Sequence, residues 1–217
     1  MKKKKIAVIF GGCSSEYGVS LQSAYSVITN LDENKYELTL IGITKEGKWF
    51  LYEGDVKNLL DDTWQRENCI EAIISPSRDH KGILVFGGAE NYTIEIDMAF
   101  PVLHGQNGED GTIQGLLELA DIPIIGCGLG SSYICMDKVI AHKIAAEGGI
   151  RVPACVVINK GEEISDFMAD IENLGYPLFV KPVKAGSSYG ITKVHDKSQI
   201  IKAIEDAFFY IYFKPQP

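Results

Sequence analysis

Three times along this chain a short apolar run ends in a loop crowded with glycine and polar residues. Residues 5–10 lead into Gly11-Gly12-Cys13-Ser14-Ser15-Glu16-Tyr17-Gly18, and residues 96–103 into His104-Gly105-Gln106-Asn107-Gly108-Glu109-Asp110-Gly111. Residues 178–181 lead into Pro182-Val183-Lys184-Ala185-Gly186-Ser187-Ser188-Tyr189-Gly190. Runs this apolar read as buried strands, and glycine lets the backbone beyond them turn sharply and approach a ligand closely. Helical segments separate the strands. Over residues 19–30, apolar Val19, Ala24, Val27 and Ile28, with Leu31 beyond, have the spacing of a core-facing stripe.

Further helices are expected over 112–119, 131–148, 162–173 and 198–209, and further strands over 36–43, 48–52, 122–125, 154–158 and 191–194. Residues 54–82 read as loops with small elements, and 83–86 with 92–94 as a surface hairpin around Gly87-Gly88. The alternation predicts an α/β chain. Its N-terminal part is a doubly wound parallel sheet with ligand loops at the carboxyl ends of the strands. A smaller α+β unit follows, with the boundary at about residue 130.

Charge and cysteine usage narrow the function classes. With 21 basic and 29 acidic residues in 217, the formal net charge of −8 argues against nucleic acid as the main partner. Lys2 to Lys5 make a basic N-terminus, but the apolar run after them is too short for a signal-peptide core or a membrane span. A cytoplasmic protein is expected, without nucleic acid or membrane as partner. The five cysteines are scattered and the four histidines lack metal-ligand spacing, so reduced, mostly buried thiols and no metal site are expected.

Each loop admits two readings. In the third, Lys181 at a strand end and the hydroxyls of Ser187 and Ser188 suit a nucleotide triphosphate, whose phosphates backbone N–H groups can cradle. The same residues would serve a hairpin turn. In the first, Glu16 stands just before a helix, either capping its N–H groups or holding an ammonium group at the mouth of the sheet. The second loop, opened by His104, ends an inner strand and favours substrate contact; its acids fail the EF-hand order. Gly126-Cys127-Gly128-Leu129-Gly130 imitates a nicotinamide-cofactor loop, but its third glycine comes one position early.

Taken in order, these segments resemble the D-alanine–D-alanine ligase family of ATP-grasp enzymes. The matching pieces are Phe10-Gly11-Gly12, Ser15-Glu16, Val19-Ser20-Leu21, His104-Gly105, Gly108-Glu109-Asp110-Gly111-Thr112 and Gln114-Gly115. Met136-Asp137-Lys138, Val180-Lys181-Pro182 and Gly186-Ser187-Ser188 complete the set across nearly the whole chain. Ala185 replaces the glutamate that many housekeeping ligases carry before Gly-Ser-Ser, and Tyr189 replaces a small aliphatic residue. With an aromatic at 189 and the stretch Glu16-Tyr17-Gly18-Val19-Ser20-Leu21-Gln22-Ser23-Ala24, the chain resembles the VanG-type vancomycin-resistance D-alanine–D-serine ligases.

The resemblance implies an ATP-dependent ligase of peptidoglycan precursor synthesis. ATP converts the first D-alanine to an acyl phosphate, which the amine of D-alanine or D-serine then attacks. It also implies Glu16 on the first D-alanine's ammonium with His104 nearby, Lys138 and Lys181 on the ATP phosphates, and Gly186 to Gly190 covering them. Ser187 would help close the site, and Ser188 would contact ATP. Residues 1–130 would be the N-terminal ligase domain and 131–217 a central ATP-grasp subdomain.

Family members are longer. The part expected to be absent carries the adenine pocket, a phosphoryl-stabilising arginine and the Mg2+ ligands, and the full-length family implies a homodimer. The tail Ile211-Tyr212-Phe213-Lys214-Pro215-Gln216-Pro217 does not resemble the family continuation. The expectation is therefore a chain that forms no D-alanyl dipeptide alone. The alternatives are a truncated non-catalytic protein with weak ligand binding and, more remotely, a nicotinamide-dependent enzyme.

Overall fold

The first strand, β1 (Lys4–Gly11), has no side facing water: Ile6, Ala7, Val8, Ile9 and Phe10 are each at most 1% exposed. Ala7 and Ile9 point to one face, where Ile113, Leu117 and Ala120 pack. Ile6, Val8 and Phe10 point to the other, against Tyr17, Leu21 and Ala24. Alternation along a strand sends successive side chains to opposite faces, so an unbroken apolar run requires cover on both. Each large apolar side chain buried in this way contributes about 1.5–3 kcal/mol.

The computed structural model describes residues 2–88, 90–186 and 188–212, which fall into two compact units, Met1–Tyr133 and Ile134–Pro217. In the first unit, β1 is followed by α1 (Tyr17–Asn30), β2 (Tyr36–Ile43), β3 (Trp49–Tyr52), β4 (Cys69–Ile74), β5 (Gly82–Val85), β6 (Tyr92–Glu95), β7 (Met98–Pro101) and α2 (Thr112–Leu119). The sheet order is β6-β5-β4-β3-β2-β1-β7. Strand β1 runs parallel to β2 and β7, with α1 packing on one face and α2 on the other, which is the doubly wound core. From β2 to β6 the pairing is antiparallel, a meander that extends this core.

Several local expectations change. Of the stripe expected on α1, Ala24 is buried and Val27, Ile28 and Leu31 pack against the core, but Val19 is 50% exposed, and Tyr17, Ser20 and Leu21 are buried as well. Residues 54–82 hold an inner strand, β4, and two 3-10 turns, Val56–Leu59 and Trp64–Arg66. The second turn delivers Trp64, fully buried, with its ring 5.0 Å from Phe10 and 5.8 Å from Tyr52 in edge-to-face contacts. Gly42 of β2 lies under that indole, and any side chain there would collide with it. The expected pairing of 83–86 with 92–94 forms, as antiparallel β5 and β6, but β5 belongs to the core, with Ile83 and Val85 fully buried, and β6 is the sheet edge.

The strand expected over 96–103 is shorter, Met98–Pro101, with backbone bonds from Asp97 to Lys5 and from Val102 to Ile9 flanking its ladder to β1. Residues 122–125 contribute a single parallel bridge, Ala99 to Ile124, with Pro123 limiting further pairing. The long helix expected over 131–148 is two helices, α3 (Leu129–Met136) and α4 (Lys138–Glu147), broken at Asp137 in extended backbone. The cysteines are unpaired, but Cys127, Cys135 and Cys155 are exposed and Cys13 and Cys69 half-buried, against the expectation of mostly buried thiols.

In the second unit, α4 is followed by α5 (Ile164–Leu174), the antiparallel pair β8 (Leu178–Val180) and β9 (Thr192–Val194), and α6 (Ile200–Tyr212). Residues 154–158 take no regular structure, although Val156 and Ile158 still pack on the core. That core is small, built on Ile171, Val194, Ile200, Ala203 and Ile204. Much apolar surface stays open, with Ile150 65%, Phe179 56% and Ile201 55% exposed. The tail residues 213–217 lie outside the described residues.

Trp64→Ala should destabilise the first unit by about 3–5 kcal/mol, because it removes a fully buried ring that its neighbours cannot replace. Trp64→Phe should cost less. Equilibrium denaturation checks both, and an unchanged midpoint for the alanine variant would contradict this packing. Limited proteolysis should cut first beyond residue 150, in the loop around the exposed Tyr189, leaving the first unit intact. Early cleavage within residues 1–130 would contradict it.

Candidate functional sites

Because β1 and β7 are parallel neighbours, the loops that leave their carboxyl ends emerge side by side. At the end of β1, Gly11 takes φ +86°, and a side chain there would strike the Ile43 carbonyl, so only glycine fits. The chain then turns: the Ser14 N–H donates to the Gly12 carbonyl and the Glu16 N–H to the Ser14 hydroxyl at 3.1 Å. Glu16 occupies the N-cap position of α1 and is 5% exposed, yet its carboxylate makes no capping hydrogen bond with the helix. It lies against Gly105, where any Cβ would overlap both the carboxylate and the Ser14 hydroxyl. The loops expected to carry Glu16 and His104 thus meet at one place.

Two acids of the second loop organise the loop itself. The Gly105 N–H donates to Glu109 at 2.8 Å, and Asp110 accepts from the N–H groups of Asn107 and Thr112 at 2.9 and 3.0 Å. Buried Gln114 on α2 adds a bond from its amide to the Gly108 carbonyl at 2.8 Å. These bonds hold a turn in which Gly105 and Asn107 have positive φ, at 69° and 66°.

The residues that fix Glu16 and His104, Ser20 and Ser23, lie in segments that resemble the family, but the sequence assigned them no role. Ser20, fully buried, accepts from the Gly11 N–H at 2.8 Å and donates to the Val102 carbonyl, tying the end of β1 to the end of β7. Ser23 Oγ lies 3.0 Å from His104 Nε2. With Glu16 these serines sit at i, i+4 and i+7, one face of a helix, and that polar stripe was the available signal. Beneath it, the Tyr17 hydroxyl donates to Asp62 at 2.8 Å and accepts from Trp64 Nε1 and Gln65 Nε2, each at 2.9 Å. Burial first, and then Asp62, push this phenol well above its ordinary 10.0, so it stays protonated.

The second site lies within the second unit. Asp137 caps α4, accepting from the N–H groups of Val139 and Ile140 at 3.0 Å each, and its carboxylate is 3.7 Å from Lys184 Nζ. The cap places Lys138 at the first helical position, where its ammonium donates to the Ala185 carbonyl at 2.7 Å. A lysine that sequence alone would leave as a solvated helix charge is thereby fastened to the Gly/Ser loop. Burial, followed by the like charge of Lys181, holds the Lys138 amine below the usual lysine range.

Lys181 leaves β8 with its ammonium 5.6 Å from the Phe179 ring centre. Both lysines line one cavity of about 520 Å³, with Val156, Ile158, Val180 and Phe208 among its apolar walls. The loop beyond makes two successive turns, closed by bonds from Tyr189 to Gly186 and from Ile191 to Ser188 at 3.1 and 3.3 Å. Ser188 and Gly190 take positive φ, at 62° and 68°. Ser187 lies outside the described residues.

Two ammonium groups beside a glycine turn suit a polyanion with an apolar ring system attached. Among the described residues, no group of three or more His, Cys, Asp or Glu could hold a metal ion, and no helix is long and apolar enough to cross a membrane. The imitation nicotinamide loop follows a single bridge rather than a strand.

The family model for the D-ala D-ala ligase N-terminus matches residues 5–127, more than half of the chain, and that for the D-ala D-ala ligase C-terminus matches residues 144–211. A D-alanine--D-alanine ligase of Thermoanaerobacter sp. (strain X514) is 52% identical over 213 residues, covering 97% of this chain and 59% of the relative. Vancomycin/teicoplanin A-type resistance protein VanA of Enterococcus faecium is 42% identical over 210 residues, 97% of this chain and 58% of its own length. The crystal structure of VanG D-Ala:D-Ser ligase from Enterococcus faecalis superposes with a TM-score of 0.87 at 48% identity, covering 95% of this chain and 60% of that one. The chain therefore spans about 60% of the length of these relatives. With one family model over its first unit, a second over most of the remainder, and the motif residues gathered at strand ends, the chain belongs to the D-alanine–D-alanine ligase family.

Proposed function

We propose that this chain carries the first amino-acid site and a phosphate-binding site of an ATP-dependent ligase that joins D-alanine to D-alanine or D-serine in the cytoplasm. The observation that carries the reading is the convergence of Lys138 and Lys181 on one cavity. Like charges side by side disfavour each other, and a bound polyphosphate relieves that repulsion.

A carboxylate is a poor acyl donor. In the proposed reaction the carboxylate of the first D-alanine takes the terminal phosphoryl group of ATP, forming an acyl phosphate and releasing ADP. The amine of the second amino acid attacks the acyl carbon, the carbon–oxygen bond to phosphate breaks, and the amine nitrogen loses a proton as the amide forms. Glu16 accepts hydrogen bonds from the first D-alanine's ammonium, and His104 stands beside it. Lys138 and Lys181 offset phosphate charge, while Gly186 and Ser188 present loop backbone to the phosphates. Ser187 is assigned by resemblance to closing the site. Positioning and charge neutralisation supply most of such catalysis. Magnesium is a family expectation for which the described residues provide no ligand set.

D-serine as second substrate is supported by Tyr189 together with the stretch from Glu16 to Ala24, in which the chain resembles the VanG-type enzymes. Relatives of both kinds are similar to this chain, since the Thermoanaerobacter protein is named a D-alanine--D-alanine ligase and the VanG structure is titled a D-Ala:D-Ser ligase.

Binding measurements on the chain test the reading. Lys138→Ala and Lys181→Ala should each weaken ATP by about ten- to a hundredfold, the scale of one charge-assisted contact. Calorimetric titration reads this, and equal ATP affinity in wild type and both variants would overturn the phosphate assignment. Glu16→Gln should weaken D-alanine by a similar factor and change ATP affinity less than twofold, roughly the error of such a measurement. Unchanged D-alanine affinity would reduce Glu16 to a structural residue of the turn.

A further inference from the structure

From the polar stripe on α1, we propose that Ser23 is a positioning residue for His104, holding its ring so that Nδ1 faces the first amino acid. The proposal rests on the reading of Glu16 and His104 as the first D-alanine site. His104 follows β7 in a loop with no regular structure, so backbone geometry alone does not fix its ring. Ser23 Oγ, two helical turns beyond Glu16, meets His104 Nε2 at 3.0 Å across 81 residues of sequence. A hydroxyl both donates and accepts, so this bond engages Nε2 in either tautomer and leaves Nδ1 as the nitrogen that can meet a ligand.

Rigid support makes the contact a positioning device. Ser23 stands on the α1 turn after Ser20, whose hydroxyl bonds the Gly11 N–H and the Val102 carbonyl. Val102 is two residues before His104, so one helix holds both the backbone leading to the imidazole and the imidazole itself. The helix also starts at Glu16, whose carboxylate rests against Gly105. The separation of carboxylate and imidazole is thus set by consecutive turns of one helix rather than by two independent loops. A site held this way keeps its geometry before substrate arrives.

Ser23→Ala and Ser23→Thr separate positioning from folding, because threonine keeps the hydroxyl and alanine removes it. Imidazole nitrogen NMR of the isotope-labelled chain, with His104 assigned through His104→Gln, reads the ring directly and without substrate. Ser23→Ala should shift the His104 nitrogen signals, leave the thermal midpoint close to wild type, and weaken D-alanine by about two- to tenfold, the scale of one neutral hydrogen bond. Ser23→Thr should keep both the signals and the affinity near wild type. Unmoved His104 signals in Ser23→Ala, or equal loss of affinity in the two variants, would overturn the proposal. A wild-type chain that binds no D-alanine while Ser23→Ala still shifts the ring would instead overturn the amino-acid site and leave the Ser23–His104 pair standing.

Discussion

The burial of β1 on both faces is the condition from which the first unit follows. A strand with Ile6, Val8 and Phe10 on one side and Ala7 and Ile9 on the other is stable only between two layers, and α1 and α2 supply them. Its backbone N–H and C=O groups also need partners on both edges, which β2 and β7 provide in parallel. Parallel pairing then places the carboxyl ends of β1 and β7 together. The meeting of the Glu16 and His104 loops is a consequence of that arrangement.

Helix α1 converts the meeting into a defined geometry. Its apolar side, with Tyr17, Leu21 and Ala24, is fixed by the core. Its Glu16, Ser20 and Ser23 positions face the strand ends, and each touches a different part of the two loops. The network beneath Tyr17 adds long-range polar bonds to Asp62, Trp64 and Gln65, so the start of the helix is anchored from the meander as well. Burying a hydroxyl without partners is costly, and here Tyr17 and Ser20 are satisfied on both their donor and acceptor sides.

In the second unit the corresponding element is a helix start. Asp137 stops α3, caps α4 and pairs at 3.7 Å with Lys184, while its neighbour Lys138 reaches the Ala185 carbonyl. One dipeptide therefore ties a helix to the Gly/Ser loop at two points. The cost is a lysine amine held partly out of water beside a second cation, a strain that an anionic ligand removes.

Strand and helix positions were largely legible because burial imposes local periodicity: residues 36–43 and 112–119 form the elements their spacing indicates. Glu16, His104 and Lys181 drew attention in the sequence because they stand where apolar runs meet polar loops, whereas Lys138 carries no local sign and was indicated by the family resemblance alone. Other features had no local signature. The bareness of Gly42 is explained only by the Trp64 ring above it, the exposure of Val19 only by where α1 rolls on the sheet, and the partner of Ser23 only by the fold, which brings it a histidine 81 residues away. Sequence by itself determined which segments are buried and which ends carry chemistry, because hydrophobic spacing and glycine conformation act over a few residues. Tertiary structure alone decided which strands lie side by side and which hydroxyl meets which ring, because those pairings join distant parts of the chain and leave no periodic trace.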